Sequence, residues 1–291
     1  MQTQTQTEEM TKKTATTTGT QVPEKQQKME VALPFDYGTH AGAGTDDLSQ
    51  AERGVPYLRV LQPLSPQVVG PEGRIEGARP GQIVNTGTGA LYDTLTIVPV
   101  LRTHTIKEWR PRNQGGGLVE QTIITPGADY PDFFKAAVAR CKAEGRKFGK
   151  FWTGEPDKSN QLKETYDVFA VILDGNQNPI GMGVFSFAST AIPVYRKQFS
   201  RRIGQIPGRP PMFAFPITIT TQFKSAEGNS WFVPVISFPV ENNPVKSMLD
   251  PKSAAFKAGA ELFNLVTTGQ VAAEEPKNDD DDAGPAEQSN F

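Results

Sequence analysis

The 291-residue sequence contains one cysteine, Cys141, and two histidines, His40 and His104. A lone cysteine can form no disulfide within the chain and no cysteine-based zinc site, which suits a reducing compartment. So few imidazoles also argue against a transition-metal site. The sequence therefore predicts no metal and no cofactor, a structural role for His104, and an exposed-loop position for His40.

Long apolar runs are missing as well. No stretch approaches the roughly 18 apolar residues that a membrane span needs, and the N-terminus has no apolar segment typical of a secretion signal. Phosphate-loop and nucleophile-elbow motifs are absent. Asp46 and Asp47 lack the further carboxylates that nuclease chemistry with Mg²⁺ requires. These absences predict a soluble, non-catalytic protein without a membrane partner.

Both ends of the chain have few apolar side chains. Residues 1–30 are rich in Thr, Gln, Lys and Glu and contain no aromatic residue, and residues 270–291 are similarly poor in apolar groups. Neither segment can bury enough surface to offset the entropy cost of ordering it. We therefore expect a disordered N-terminal tail over residues 1–30, one domain over residues 31–269, and a disordered acidic tail over residues 270–291.

The formal net charge of -2 conceals a strong asymmetry. Residues 274–291 carry seven acidic side chains against one lysine, whereas residues 102–224 carry 18 basic side chains against 10 acidic ones. A basic centre joined to an acidic tail indicates a polyanionic ligand for the centre and a separate partner for the tail.

Apolar alternation predicts a mainly β fold with a few helices (α+β). Strands are expected at residues 57–63 and around residues 95–100, and hairpins at residues 166–187 and 213–238. Helices are expected at residues 130–144, 193–203 and 253–267. Because strands and helices do not alternate, an antiparallel barrel or sandwich is favoured over a doubly wound sheet, and an OB-like barrel is the first expectation.

Basic and aromatic residues interleave in three clusters, at residues 107–112, 146–152 and 195–202. Single-stranded nucleic acid is bound by such combinations, in which cations meet phosphates and rings stack on bases. The expected nucleic-acid-binding residues are Lys107, Trp109, Arg110, Arg112, Arg146, Lys147, Lys150, Phe151, Trp152, Tyr195, Arg196, Lys197, Arg201 and Arg202.

The stacking rings among them would be Trp109, Phe151, Trp152 and Tyr195. The alternative interpretation is that aromatic residues of these clusters belong to the core. Two pairs flanking the second hairpin turn, Phe223-Lys224 and Trp231-Phe232, are further candidates. The glycine-rich run at residues 115–117 is expected to form a flexible lid.

The last residues combine an acidic run with a terminal ring, and the set is Asp279, Asp280, Asp281, Asp282 and Phe291. A ring joined to a terminal carboxylate suits an apolar pocket flanked by cations. This tail resembles those of bacterial single-stranded DNA-binding proteins and their counterparts in T7-like phages, although here eight residues separate the Asp run from the phenylalanine. The resemblance implies recruitment of replication or recombination enzymes such as a polymerase, helicase-primase or nuclease.

A broader resemblance covers about residues 35–240. The segments that carry it include Pro56, Gln62, Ser65, Pro66, Gly81, Trp109, Arg110 and the glycines at 115–117. They resemble a family of tailed-phage early proteins associated with single-stranded DNA binding. The resemblance implies action in the cytoplasm of an infected bacterium, with homo-oligomerisation left open. A strand-annealing recombination mediator, a virion structural or assembly protein and a DNA-processing enzyme remain alternatives.

Overall fold

The computed structural model describes residues 54–70, 73–111, 114–145, 151–155, 158–226 and 229–274. The predicted N-terminal tail and the acidic residues of the predicted C-terminal tail lie outside the described residues, apart from Glu274. So do four of the predicted binding residues, Arg112, Arg146, Lys147 and Lys150.

Within the described residues, ten strands form one sheet. They are β1 (Tyr57–Val60), β2 (Ile83–Asn85), β3 (Leu91–Tyr92), β4 (Leu95–Trp109), β5 (Leu118–Ile123), β6 (Phe151–Trp152), β7 (Gln161–Leu173), β8 (Pro179–Ala188), β9 (Ile217–Ala226) and β10 (Asn229–Ser237). The helices are α1 (Pro66–Val69), α2 (Asp132–Ala143), α3 (Ala191–Tyr195), α4 (Arg201–Gly204) and α5 (Ala254–Thr267). A π-helical turn (Arg196–Ser200) joins α3 to α4, and a 3₁₀ turn (Met212–Ala214) precedes β9.

The strand order is β10-β9-β4-β7-β8-β1-β2-β3, with β5 beside β4 and β6 beside β7. The long strands β4 and β7 form the centre of the sheet. Their antiparallel ladder runs from the Thr96–Leu173 pair to the Trp109–Gln161 pair. The sheet curls into a half-barrel, and the prediction of a mainly β fold with a few helices is confirmed. No helix among the described residues is long and apolar enough to cross a membrane.

Alternation along β4 and β7 assigns their side chains to two faces. The inner face carries Ile97 and Val168 in the main core, where α3 and the π turn insert Tyr195 and Phe199. The outer face carries Val98 and Val171 among other residues, and it is covered there by α5. Helix α5 can pack closely against Phe213 because residue 259 is a glycine. A Cβ at this position would lie only 2.8 Å from Cβ of Phe213.

Two glutamine side chains form hydrogen bonds with backbone groups on the edge of β10 that faces away from β9. The Phe232 N–H donates to Gln62 Oε1 (2.9 Å), and Gln62 Nε2 donates back to the Phe232 carbonyl (3.0 Å). Farther along, the Ile236 N–H donates to Gln198 Oε1 (2.7 Å), and Pro234 between them has no N–H to satisfy. Gln62 follows β1, so its amide links the two sides of the curled sheet and protects an edge that could pair with another chain.

Replacing Gln62 with leucine should therefore lower the free energy of unfolding by about 2–3 kcal/mol, because a donor and an acceptor of Phe232 lose their partners. Gln222→Leu, at an exposed position on β9, is the matched control and should change stability by less than about 0.5 kcal/mol. Urea unfolding measures both. Equal effects of the two substitutions would contradict this role of Gln62.

Candidate nucleic-acid interface

Two tryptophans lie in one row across the outer face of the sheet. Trp109 on β4 pairs with Gln161 on β7, and Gln161 pairs with Trp152 on β6. Residues that pair across neighbouring strands project to the same face. With strands about 4.8 Å apart, the two backbone positions are about 10 Å apart, and both tryptophan residues are partly exposed. One tryptophan from each of the first two basic-aromatic clusters of the sequence therefore lies on the same face of the sheet.

Helix α2 supports this part of the sheet from the inner face. Ile106 and Leu162, next to the tryptophan row but opposite in direction, pack against Phe134 and Ala137 of the helix. Phe151 belongs to the same buried cluster, and its ring centroid is 5.2 Å from that of Phe134. The prediction that Phe151 stacks on a base is therefore wrong, because alternation along β6 directs its ring into the core.

Cations border the tryptophan row. Lys163 Nζ lies 5.8 Å from the centroid of the Trp109 ring, and Arg110 is exposed directly after it. The Arg140 guanidinium donates to the carbonyls of Trp152 (3.1 Å) and Thr153 (3.2 Å), which anchors the end of β6 to α2. Cations beside partly exposed rings are the combination that single-stranded nucleic acid requires.

The connection between β4 and β5 returns the chain to this surface. Its three glycines, residues 115–117, all have positive φ angles, a conformation that glycine adopts without steric cost. The Arg110 N–H donates to the Gly117 carbonyl (2.8 Å) and closes the turn. The glycines thereby let the chain turn directly after Trp109, at the exposed residue Arg110.

Lys107 projects from the same outer face but is buried, with 3% of its surface exposed. Its Nζ lies 2.7 Å from Asp167 Oδ2 and 3.5 Å from the Tyr57 hydroxyl. Ser186 Oγ donates to the other Asp167 oxygen (2.6 Å). Burial, reinforced by the Asp167 charge, raises the pKa of Tyr57. Because Asp167 neutralises its charge in the interior, the prediction that Lys107 meets a phosphate is corrected.

The third cluster does not join the tryptophan row. Tyr195 is 1% exposed, and its ring lies 4.9 Å from that of Phe187 and 5.5 Å from that of Phe199. It cannot stack on a base, because α3 inserts it into the core. Arg202 bonds to Asn242 Oδ1 (2.8 Å), whereas Lys197 and Arg201 are exposed.

Arg196 belongs to a polar cluster on the inner face. Glu164 Oε1 accepts hydrogen bonds from His104 Nε2 (2.8 Å), the Tyr130 hydroxyl (2.7 Å) and Arg196 Nη2 (3.1 Å). Arg196 Nε also donates to the Tyr166 hydroxyl (2.8 Å). Burial alone would raise the pKa of Glu164, but the hydrogen bonds from His104 and Tyr130 and the charge of Arg196 together hold it below its usual range.

This pKa shift predicts a pH-dependent contribution to stability. A carboxylate with a lowered folded-state pKa stabilises the fold above its unfolded pKa, roughly 4.3, and loses that contribution as the pH falls through the folded pKa. Glu164→Gln should therefore destabilise the protein near neutral pH and lose less stability on acidification than the wild type. Urea unfolding at several pH values from neutral to acidic tests this. Parallel pH profiles of the two proteins would contradict it.

Comparison with known protein families identifies one family that matches most of the chain. Residues 24–272 match the family described as Pam3 phage gp34-like protein. The chain belongs to this family. This gp34-like protein is thus a phage protein, and neither a curated protein nor a solved structure matches it. Across the described residues of the gp34-like protein, no three His, Cys, Asp or Glu side chains are grouped so that they could hold a metal ion.

Several residues beside the tryptophan row of this gp34-like protein were not predicted from the sequence. Gln161 and Lys163 occupy the tryptophan face because they alternate with the buried Leu162 on β7. Leu118, opposite Trp109 on β5, belongs to a strand that was not predicted. The alternation at residues 161–165 is a signal that could have found the β7 residues, but it could not have revealed their neighbours on β4 and β6.

Proposed function

We propose that this gp34-like protein binds single-stranded DNA, with bases stacking on Trp109 and Trp152. The observation that carries the proposal is the row Trp109–Gln161–Trp152, in which two separate basic-aromatic segments present partly exposed rings on one face. Each base stacked on an aromatic side chain contributes about 1–3 kcal/mol without requiring a particular base. The protein would coat and protect the strand during phage replication or recombination.

Phosphates would be neutralised by the cations around this row. Arg110 is exposed, and Lys163 lies over the Trp109 ring. The basic residues at 112, 146, 147 and 150 adjoin β4 and β6 in the chain and are proposed to extend the surface. The curled sheet would serve as an OB-like platform, with strand faces and connecting loops in contact with DNA. The proposed role is non-catalytic and takes place in the infected bacterial host.

The acidic tail is proposed to recruit partner enzymes. The last described residue, Glu274, donates its N–H to the Val55 carbonyl (3.0 Å), so the tail begins beside the strand β1. Its acids and terminal Phe291 suit an apolar, cationic pocket on a replication or recombination enzyme. Truncation after Glu274 should abolish capture of such an enzyme while DNA binding persists; capture that survives truncation would refute this assignment.

A salt series with single- and double-stranded oligonucleotides tests the proposed function. Fluorescence anisotropy should show a preference for the single strand, and log affinity should fall linearly with log salt by about 0.7 for each phosphate neutralised. Binding should be readily detected at about 50 mM salt, where phosphate contacts are strong. No binding under that condition, or equal affinity for the duplex, would contradict the proposal.

A further inference from the structure

The ladder of β4 has a gap on the edge away from β7. Strand β9 pairs with residues 95–97 of β4, and β5 pairs with residues 105–109. None of the described strands pairs with residues 98–104 along that edge. A cleft of about 150 Å³ lies beside this gap, lined by Arg102, Thr103, His104 and residues 123–128. The gap exists because β9 and β5 both pair with β4 but end several residues apart along it.

The cleft is positively charged. Its lining includes Arg102 and His104 and contains no carboxylate. Glu164 accepts hydrogen bonds from His104 and Arg196. This cluster therefore holds two guanidinium groups, those of Arg102 and Arg196, and one carboxylate, that of Glu164, which gives it a net positive charge. In the part of the chain that the structure describes, Arg102 has no ion-pair partner.

Tyr166 orients both guanidinium groups. The Arg102 Cζ atom lies 4.8 Å from the Tyr166 ring centroid, and the Arg196 Cζ atom lies 5.0 Å from it. Packing against an aromatic ring restrains a guanidinium and leaves its N–H edge able to bind an oxyanion through two parallel hydrogen bonds. Arg102 is therefore held at the cleft while retaining donors that no carboxylate occupies.

We propose that this cleft binds a phosphate group, with Arg102 as the principal ligand and His104 beside it. The cleft volume of about 150 Å³ is well above the roughly 10–15 Å³ that one water molecule needs on the same measure, so the cleft has room for one tetrahedral anion. The site lies on the inner face, whereas the tryptophan row lies on the outer face. It is thus a second anion site that goes beyond the proposed stacking surface, and free phosphate or a nucleic-acid backbone could supply the group.

Proton NMR of the His104 ring reports on this cleft without requiring DNA binding. The protein has only two histidines, so His40→Gln assigns the signals. Inorganic phosphate, titrated at constant ionic strength, should shift the His104 signals saturably. Arg102→Met should abolish the shift, and Lys257→Met, which removes an exposed cation on α5, should preserve it. Undiminished shifts in Arg102→Met would overturn the site.

A second titration, with a single-stranded oligonucleotide, distinguishes the two sources of phosphate. If single-stranded oligonucleotide moves the His104 signals, inorganic phosphate does not, and Arg102→Met abolishes the movement, the site stands with the nucleic-acid backbone as its ligand. If neither ligand moves the signals, the site is refuted. If, in that case, the oligonucleotide still quenches the tryptophan emission, only the phosphate site is refuted and the proposed DNA-binding function stays intact.

Discussion

Replacing Lys107 with methionine is expected to lower the free energy of unfolding by about 3–5 kcal/mol, the usual effect of removing one partner of a buried ion pair. Lys107 and Asp167 have 4% and 5% of their side-chain surfaces exposed. After the substitution, Asp167 would keep the hydrogen bond from Ser186 but would remain charged in the interior without a cation. Denaturant unfolding at neutral pH measures the loss.

The double variant Lys107→Met/Asp167→Leu separates the cost of an unpaired charge from the loss of packing. Because both charges are removed together, its stability should recover most of the loss. The control is the exposed pair Lys246–Glu241, whose side chains are 52% and 68% accessible, where Lys246→Met should cost less than about 1 kcal/mol. A cost for Lys107→Met as small as that of the exposed control would contradict the buried-pair assignment.

Removing either tryptophan of the outer row should weaken DNA binding strongly. Trp109→Ala and Trp152→Ala should each raise the dissociation constant by about 5- to 150-fold, equivalent to losing 1–3 kcal/mol of stacking per base. Trp231 is a further candidate from the sequence, but it lies on β10, away from the row. Trp231→Ala is therefore the matched control, and its loss should leave affinity nearly unchanged. Anisotropy titrations, with circular dichroism to verify folding, give the comparison.

The salt dependence distinguishes stacking from charge neutralisation. Loss of an indole removes no phosphate contact, so the salt slopes of the tryptophan variants should equal that of the wild type. Arg110→Met should instead reduce the slope by about 0.7, the value for one phosphate of a single strand. A tryptophan variant with unchanged affinity, or equal losses at Trp109 and Trp231, would contradict the stacking assignment.

The hairpins and helices could be predicted from the sequence because their signals are local. The turn at residues 174–176 separates two apolar runs, and the structure confirms the hairpin of β7 and β8. Helix α5 begins after Ser253, whose side chain accepts the Phe256 N–H, as expected of an N-cap residue. The same local logic could have excluded Tyr195 from the surface, because Tyr195 and Phe199 are four residues apart and share one helical face.

The binding surface depends on register, which the sequence does not reveal. The β4–β7 ladder has an irregularity between Pro99 and Leu101, and the β4–β5 ladder has one between Glu108 and Trp109. A shift of one residue reverses the face to which every later side chain projects. The common face of Trp109 and Trp152 could not be predicted without this register, and the pairing of Lys107 with Asp167 is likewise a contact between strands.

Intrinsic fluorescence tests the central claim most directly. The protein has three tryptophans, so Trp231→Phe leaves Trp109 and Trp152 as the only indole emitters. Adding oligo-dT should quench their emission saturably, and duplex DNA of equal length should not, because bases must be unpaired to stack on the rings. Binding detected by anisotropy without any change in this emission would show that the strand does not contact the Trp109–Trp152 row.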